Sequence, residues 1–217
     1  MSWQTGSLLI LVAALGGGFA WYERSHPRAE MLALVATLAG LAAVGRIAFA
    51  AVPNVKPTTD IVLFAGYALG GAPGFAVGAI GALSSNFFFG QGPFTPWQML
   101  GWGLVGIFGA VLGRVTRHRM GRYPLALACA LAGLGFGALQ DFSGWALYSG
   151  THTWAQYVAY NTTSLAFNIA HAAGNVVFAL AFGPAFVRAL LRFRARLEVT
   201  WRDAPATPPV QGVTPIS

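Results

Sequence analysis

The sequence predicts an all-α, polytopic membrane protein. Hydrophobic residues make up 56% of the 217 residues, charged residues only 9%, and the mean hydropathy is +0.60. An ordinary soluble domain carries about 25% charged residues. Because a helix needs about 20 apolar residues to cross a bilayer, the apolar segments accommodate six or seven spans and leave almost no chain for a soluble domain. Any binding site is therefore expected among the helices or in their connections.

The first apolar run covers residues 8–21. No Lys or Arg precedes it and no small-x-small cleavage pattern follows it, which favours an extra transmembrane helix over a signal peptide. Residues 1–28 are accordingly expected to form an extra N-terminal helix and its linker. The positive residues Arg24 and Arg28 follow this helix, which favours an N-terminus outside the cell.

Further apolar segments predict the membrane domain, residues 29–196. The glycine- and proline-containing stretch at 70–74 is expected to form a tight turn between two shorter helices. The last helix is expected to end near residue 186, before a basic segment, and residues 197–217 to form a disordered cytoplasmic tail. The apolar segments are residues 30–51, 61–69, 75–83, 99–112, 125–139 and 157–186.

The connection at residues 85–98 has an unusual composition. Gly90, Gly92 and Pro93 predict a shaped loop that ends one helix, and Pro96 suits the first turn of the next. Its aromatic and amide side chains predict either a wall that stacks on and hydrogen-bonds a ligand, or an aromatic belt at the membrane interface. The candidate site residues from this connection are Asn86, Phe89, Gln91, Trp97 and Gln98.

The net charge of +7 is best explained by arginines at one membrane surface, without a nucleic-acid partner. The linker at 24–28, the connection at 114–122 and the segment from Arg188 are all basic, and a cytoplasmic location for all three places the C-terminus in the cytoplasm. Only Arg46 and Lys56 fall on the opposite side. Basic residues on that side of so biased a membrane protein need a specific reason, for which a ligand and an internal acidic partner are the two candidates.

Asp141 is the acid that we expect to pair with Arg46, because the two residues lie at similar depths in their predicted helices. The pairing is expected to be direct or to run through Gln140 or the substrate. Asp60 is the competing partner. Asp60 and Asp141 are the only acidic residues between the first full span and the tail.

Polar residues spaced three and four apart form a stripe on one face of the last predicted helix. Such a stripe cannot comfortably face lipid, and interhelical packing would need only one or two of its members. Together with Gln140 and Asp141, the stripe favours a hydrated or ligand-filled cavity. Tyr148 is also included in the candidate site. The stripe consists of Asn161, Ser164, Asn168, His171 and Asn175.

Several kinds of catalytic motif are absent from the sequence. It contains no phosphate-binding Walker A loop, no His-Glu-x-x-His, no paired acidic motif of prenyltransferases and no Gly-x-Ser-x-Gly. The single cysteine, Cys129, excludes an intrachain disulfide and a thiolate metal cluster. We therefore expect a binding protein rather than an enzyme, with no metal site and no cofactor.

Three parts of the chain together resemble the substrate-binding S components of energy-coupling factor (ECF) vitamin transporters. They are Gly45-Arg46, Pro53-Asn54-Val55-Lys56-Pro57 and residues 85–98 (SNFFFGQGPFTPWQ), and the basic tail agrees with them. The resemblance covers residues 30–196. It implies a six-helix bundle, here with one extra N-terminal helix, that captures a vitamin from outside for ATP-driven uptake. Cobalamin or another corrinoid, a flavin and a thiamine precursor are all candidate ligands.

The resemblance also implies protein partners, namely a transmembrane coupling subunit and two cytoplasmic ATPases. Members of the family contact the coupling subunit through small residues on the first full span. Ala39-x-x-x-Ala43 and Ala29-x-x-x-Ala33 match that spacing, although the same residues can also serve packing within the chain. The candidate docking residues are Ala29, Ala33, Ala36, Ala39, Gly40 and Ala43.

Two alternatives come from other functional classes. The chain could be an intramembrane enzyme, or an accessory subunit of one, that acts on a lipid or isoprenoid substrate through His171, Asn175 and Asp141. It could also be a membrane anchor without a ligand.

Overall fold

The computed structural model describes residues 3–197, except for the side chains of residues 3, 4, 7 and 10. The described chain is all-helical, and the expected tail at 198–217 lies outside it. Five helices, α2 and α4 to α7, are long and apolar enough to cross a membrane, as expected for a polytopic all-α membrane protein. The helices are α1 (Trp3–Arg24), α2 (Ala29–Ala48), α3 (Thr58–Leu69), α4 (Gly71–Phe89), α5 (Thr95–Val115), α6 (Arg122–Tyr148) and α7 (Trp154–Leu197).

The short helix α3 lies at the centre of the bundle. All 12 of its residues are buried, and it packs against α2, α4, α5, α6 and α7. The closest approach is between glycines: a Cβ atom added at Gly66 would lie 1.8 Å from the backbone oxygen of Gly106 on α5. A Cβ atom added at Gly74 on α4 would likewise meet the backbones of Gly66 and Gly106. Backbones this close gain dispersion contacts that side chains would prevent, so these glycines bring three helices together.

The tight turn expected at residues 70–74 is confirmed but is confined to Gly70, and of the two helices expected to be short only α3 is, because α4 is long enough to cross a membrane. Gly70 joins α3 to α4 with φ of +106°, a conformation that glycine adopts without strain. The next connection is shorter than expected, because α4 continues to Phe89 and α5 begins at Thr95. Most of the aromatic stretch is therefore helical. Pro96 lies in the first turn of α5, as predicted.

Helix α1 packs against the side of the bundle rather than standing apart from it. Leu11 is almost completely buried, and the ring of Phe19 meets that of Phe75 on α4 edge to face. A Cβ atom at Gly71 would lie 2.5 Å from the indole ring of Trp21. The N-terminal segment is thus an integral helix of the described fold.

The last helix continues well beyond residue 186, where the sequence predicted its end. With 44 residues it is about 66 Å long, roughly twice the thickness of the hydrocarbon core. Its arginine-bearing end folds onto the bundle, where Arg194 donates a hydrogen bond to the backbone oxygen of Ala68. Arg28 donates to the backbone oxygen of Leu197. The basic segment before residue 197 is therefore an ordered helix.

The bundle consequently has an arginine-rich end, defined by Arg28, the connection between α5 and α6, and the end of α7. Tyr67, near the C-terminal end of α3, ties the α5–α6 connection into this end by accepting a hydrogen bond from the backbone N–H of Met120. Arg46 and Lys56 lie at the opposite end, because α2 and α3 each run between the two ends.

The small residues of α2 lie on two different faces. Ala39 and Ala43 are buried, and the backbone oxygen of Ala39 lies 3.4 Å from the position of a Cβ atom at Gly81 on α4. The docking prediction needs correction at these two positions, because a partner cannot reach them. The other four candidate docking residues, Ala29, Ala33, Ala36 and Gly40, are exposed.

Candidate functional site

A partly open cavity of about 480 Å³ lies at the end of the bundle opposite the arginine-rich end. Helices α2, α4, α5, α6 and α7 and the α2–α3 connection all contribute to its walls. Many of the predicted site residues meet here although they are distant in the sequence. These are Arg46, Lys56, Phe89, Gln98, Gln140, Asp141, Ser164, Asn168 and His171.

Arg46 is held at the cavity wall by neutral oxygen atoms. Its Nη1 donates to the Ser85 hydroxyl at 2.7 Å and to Oδ1 of Asn86 at 2.6 Å, and its Nη2 lies 3.5 Å from Oε1 of Gln98. The guanidinium also lies over two aromatic rings, 4.6 Å from the centroid of Phe89 and 5.0 Å from that of Trp102. Cation–π contacts of this kind stabilise a partly desolvated arginine without neutralising its charge.

Asn86 lies behind this wall and forms hydrogen bonds to Arg46, Thr95 and Gln98. It is fully buried and does not line the cavity. Its Nδ2 donates to the hydroxyl of Thr95 at 3.0 Å and to Oε1 of Gln98 at 2.8 Å, while its Oδ1 accepts from Arg46. The Thr95 hydroxyl also accepts from the backbone N–H of Gly92. Asn86 therefore links the end of α4, the connection after it and the start of α5 to Arg46.

His171 forms part of the cavity floor and is 3% exposed. Its Nδ1 lies 2.9 Å from the backbone oxygen of Asn54, an acceptor, so Nδ1 carries a proton. Its Nε2 lies 2.9 Å from the hydroxyl of Thr59, which also accepts from the indole N–H of Trp102. Both ring nitrogens are thus engaged, and His171 fastens the α2–α3 connection to α7 and α3.

Asp141 lies on another wall and is held by neutral donors. Its Oδ2 accepts from the Ser164 hydroxyl at 2.6 Å and from Nδ2 of Asn168 at 2.8 Å. Within the described residues it forms no ion pair with Arg46, so the direct form of the predicted pair is wrong. Both residues line the same cavity, which leaves the pairing through a ligand as a prediction.

Asp60 is not the partner of Arg46 either. It is completely buried near the N-terminus of α3, beside the thiol of Cys129, and it forms no ion pair within the described part of the chain. Asn175 is equally buried; its Nδ2 donates to the backbone oxygen of Cys129. Asn175 does not line the cavity.

Lys56 faces the cavity from the connection before α3. Its Nζ donates to the backbone oxygen of Val52 at 3.2 Å. Partial burial, and then the positive charge of Arg46, lower the pKa of Lys56. The two cations are therefore close enough to disfavour each other's charge.

Four further predicted site residues lie away from the cavity. Trp97 is buried between α5 and α6, where its ring meets that of Phe142. Gln91 is exposed on the α4–α5 connection, and Tyr148 is 59% exposed at the end of α6. Asn161 donates a hydrogen bond back to Tyr157 within its own helix. None of these four side chains forms part of the cavity wall.

Several wall residues were not predicted from the sequence. Trp102 follows Gln98 by four residues and Phe136 precedes Gln140 by four, so helical spacing from the predicted amides would have identified both. Their rings are stacked with centroids 4.3 Å apart. The other residues that were missed are Asn54, Gly137, Gly144, Tyr160 and Phe167.

The chemistry of the walls suits binding of a polar molecule. Charges of both signs, amides and aromatic rings converge on one cavity, as in small-molecule sites generally. The described residues contain no group of three His, Cys, Asp or Glu side chains able to hold a metal ion. Comparison of the chain with known protein families, with curated proteins and with solved structures found no match.

Proposed function

We propose that this chain is the substrate-capture subunit of an ECF-type transporter, and that it binds a vitamin or related micronutrient in the cavity. The observation that carries the proposal is the position of this polar cavity, at the end of a membrane bundle opposite its arginine-rich end. Under the positive-inside rule, the arginine-rich end faces the cytoplasm. In this proposal the cavity faces the outside, where a nutrient arrives, α1 begins on the outer side and α7 ends on the cytoplasmic side.

The volume of the cavity bears on the size of the ligand. At about 480 Å³ it lies in the lower part of the range of about 300–1,000 Å³ that is usual for small-molecule sites. A compact vitamin with one or two rings suits this volume. A corrinoid, with its macrocycle and nucleotide loop, would require the surrounding connections to open further.

Mass spectrometry of bound small molecules tests the proposal. The protein, purified in lipid nanodiscs, is incubated with a metabolite extract and washed, and the molecules that it retains are released and identified. We expect a single micronutrient to be enriched without ATP. Asn168→Leu should weaken its binding by about 1–3 kcal/mol, because a polar group of the ligand loses its hydrogen-bonding partner in the cavity wall. Retention of no molecule, or of the same molecule by every variant of the cavity wall, would refute capture at this site.

Retention of a lipid or isoprenoid instead, followed by its chemical conversion, would support the intramembrane enzyme. Conversion is therefore monitored in the same samples. A neighbouring gene for a catalytic subunit would point to the accessory role.

The proposed partners are a transmembrane coupling subunit and two cytoplasmic ATPases. The exposed face of α2, formed by Ala29, Ala33, Ala36 and Gly40, allows another helix to approach closely. Ala33→Leu and Gly40→Leu should reduce copurification with the coupling subunit and leave ligand affinity unchanged. Ala39→Leu is the matched control, since it adds the same side chain to the buried face and should lower the melting temperature instead.

A further inference from the structure

The cavity contains more positive than negative charge, because Arg46 and Lys56 line it together with one acidic side chain, that of Asp141. The one ion pair within the described residues is between Arg28 and Glu30, far from the cavity at the arginine-rich end. Arg46 and Lys56 are bonded to neutral oxygens alone. Asp141 faces the same space, but its Oδ2 is occupied by Ser164 and Asn168. Two cations thus face the cavity against one carboxylate.

One edge of the Arg46 guanidinium is left for a ligand. The two N–H groups of Nη1 are used by Ser85 and Asn86. Nη2 has only the long 3.5 Å contact with Gln98, and Nε has no partner among the residues that the structure describes. The N–H groups of Nε and Nη2 point side by side, in the fork geometry that accepts two oxygens of one carboxylate or phosphate.

The surroundings hold this edge in place before any ligand arrives. The rings of Phe89 and Trp102 lie 4.6 and 5.0 Å from the guanidinium carbon, and Asn86, which orients Nη1, is fully buried. A donor group that is already ordered loses little conformational entropy on binding. Lys56 offers further N–H groups, since its ammonium has three donors and the structure pairs it only with Val52.

We propose that the ligand carries an anionic carboxylate or phosphate group, which the Nε and Nη2 edge of Arg46 receives together with Lys56. This inference rests on the proposed function, because it names the chemistry of the same ligand. Removal of an anion from water is costly unless charged donors replace the lost hydration, and these two cations supply such donors. Asp141 lines the same cavity from α6, and its Oδ1 makes no hydrogen bond within the described chain, so this acceptor suits an N–H or O–H group elsewhere on the ligand.

The test uses three simple probes: benzoate, phenyl phosphate and benzamide. Benzoate and benzamide have nearly the same shape and differ in charge. Saturation-transfer NMR on the protein in nanodiscs measures the dissociation constant of each probe. We expect both anions to bind at least tenfold more tightly than benzamide, and Arg46→Gln to abolish that preference.

Two variants serve as controls. Lys56→Gln should reduce the preference for anions several-fold without the risk to folding that Arg46→Gln carries, since Lys56 makes only one hydrogen bond, to a backbone oxygen. Arg114→Gln removes the same charge from an exposed position at the arginine-rich end and should leave the preference unchanged. Circular dichroism and melting temperatures verify that each variant is folded.

The inference is overturned if benzamide binds as tightly as benzoate, if neither anion binds saturably, or if folded Lys56→Gln and Arg46→Gln keep the full preference. Its failure is distinguishable from failure of the proposed function. A neutral micronutrient retained from the metabolite extract would leave substrate capture standing and remove the anionic group. Binding of benzoate that depends on Arg46, with no micronutrient retained, would support the anion site and refute substrate capture.

Discussion

Replacement of Asn86 by alanine should weaken the binding of anions in the cavity although Asn86 does not line it. Asn86 Oδ1 accepts the shortest hydrogen bond of Arg46, at 2.6 Å, and its Nδ2 donates to Thr95 and Gln98. The bond to a charged donor is worth about 1.5–3 kcal/mol and each neutral bond about 0.5–1.5 kcal/mol. Loss of all three in a fully buried place should lower the free energy of unfolding by roughly 3–5 kcal/mol.

The effect on anion binding should pass through Arg46. Without Asn86 the guanidinium keeps its contacts with Ser85 and the two rings but loses its firmest hydrogen bond, so the Nε and Nη2 edge is no longer held in one orientation. We expect the affinity for benzoate to fall about tenfold, whereas the affinity for benzamide stays unchanged. Asn86 is thus a positioning residue for Arg46.

A double-mutant cycle of Asn86→Ala and Arg46→Gln measures this coupling, with benzoate affinity and thermal unfolding as the two readouts. Gln91→Ala is the matched control, because it also removes an amide that bonds to Thr95, at an exposed place on the same connection. If the losses of Asn86→Ala and Arg46→Gln are additive, or if Asn86→Ala costs no more stability than Gln91→Ala, the assignment of Asn86 is wrong.

Two further predictions concern the core and the pH dependence of binding. Gly66→Ala should destabilise the protein by about 1–3 kcal/mol, because the added methyl group would meet the backbone of Gly106. Gly40→Ala should stabilise it by about 0.5–1 kcal/mol, because no atom lies within 4 Å of the added methyl group. Equal melting temperatures of the two variants would contradict this packing. Because burial and Arg46 lower the pKa of Lys56 while an anion favours its charged form, affinity for benzoate should fall as the pH rises through that lowered pKa. The Lys56→Arg variant stays charged, so its affinity for benzoate should not fall at alkaline pH. If the wild-type protein and this variant show the same pH profile, the effect belongs to another group that lines the cavity, namely Arg46, Asp141, Tyr160 or His171.

The features of the fold that follow from local chemistry were predictable from the sequence. Glycines and a proline around Gly70 indicated the break between α3 and α4, and apolar length indicated the long helices. The end of α7 was not predictable in the same way. Arginine, leucine and alanine are all strong helix formers, so a helix that leaves the membrane can continue through a basic segment without any signal at the boundary.

Most of the predicted site residues line one cavity, but several others do not reach its wall. Residues 85–89 were interpreted as part of a loop, and in a loop neighbouring side chains have no fixed direction. In the structure they form the last turn of α4, so Asn86 and Phe89 face Arg46 whereas Phe87 and Phe88 are 80% and 63% exposed. Helical spacing separates these residues once the helix is known to continue to Phe89.

The small residues of α2 illustrate a limit of a different kind. Ala29-x-x-x-Ala33 and Ala39-x-x-x-Ala43 have the same spacing and the same chemistry, yet one pair is exposed and the other is buried inside the bundle. Spacing indicates which residues share a face, but the tertiary packing decides which face points inward. Without the position of α4, the two pairs are equivalent.

The strongest argument for a binding site is that Arg46 and Asp141, which carry opposite charges in one cavity, are both held by neutral partners. If Arg46 and Asp141 served packing alone, a direct pair between them would be expected, because an unpaired charge inside a membrane protein is costly. Instead, Arg46 is oriented by hydroxyl and amide oxygens and by aromatic faces, and Asp141 by a hydroxyl and an amide N–H. Neutral partners fix the direction of each charged group without cancelling its charge. The cavity between them thus keeps a positive and a negative wall, and a ligand that carries an anion and a hydrogen-bond donor satisfies both.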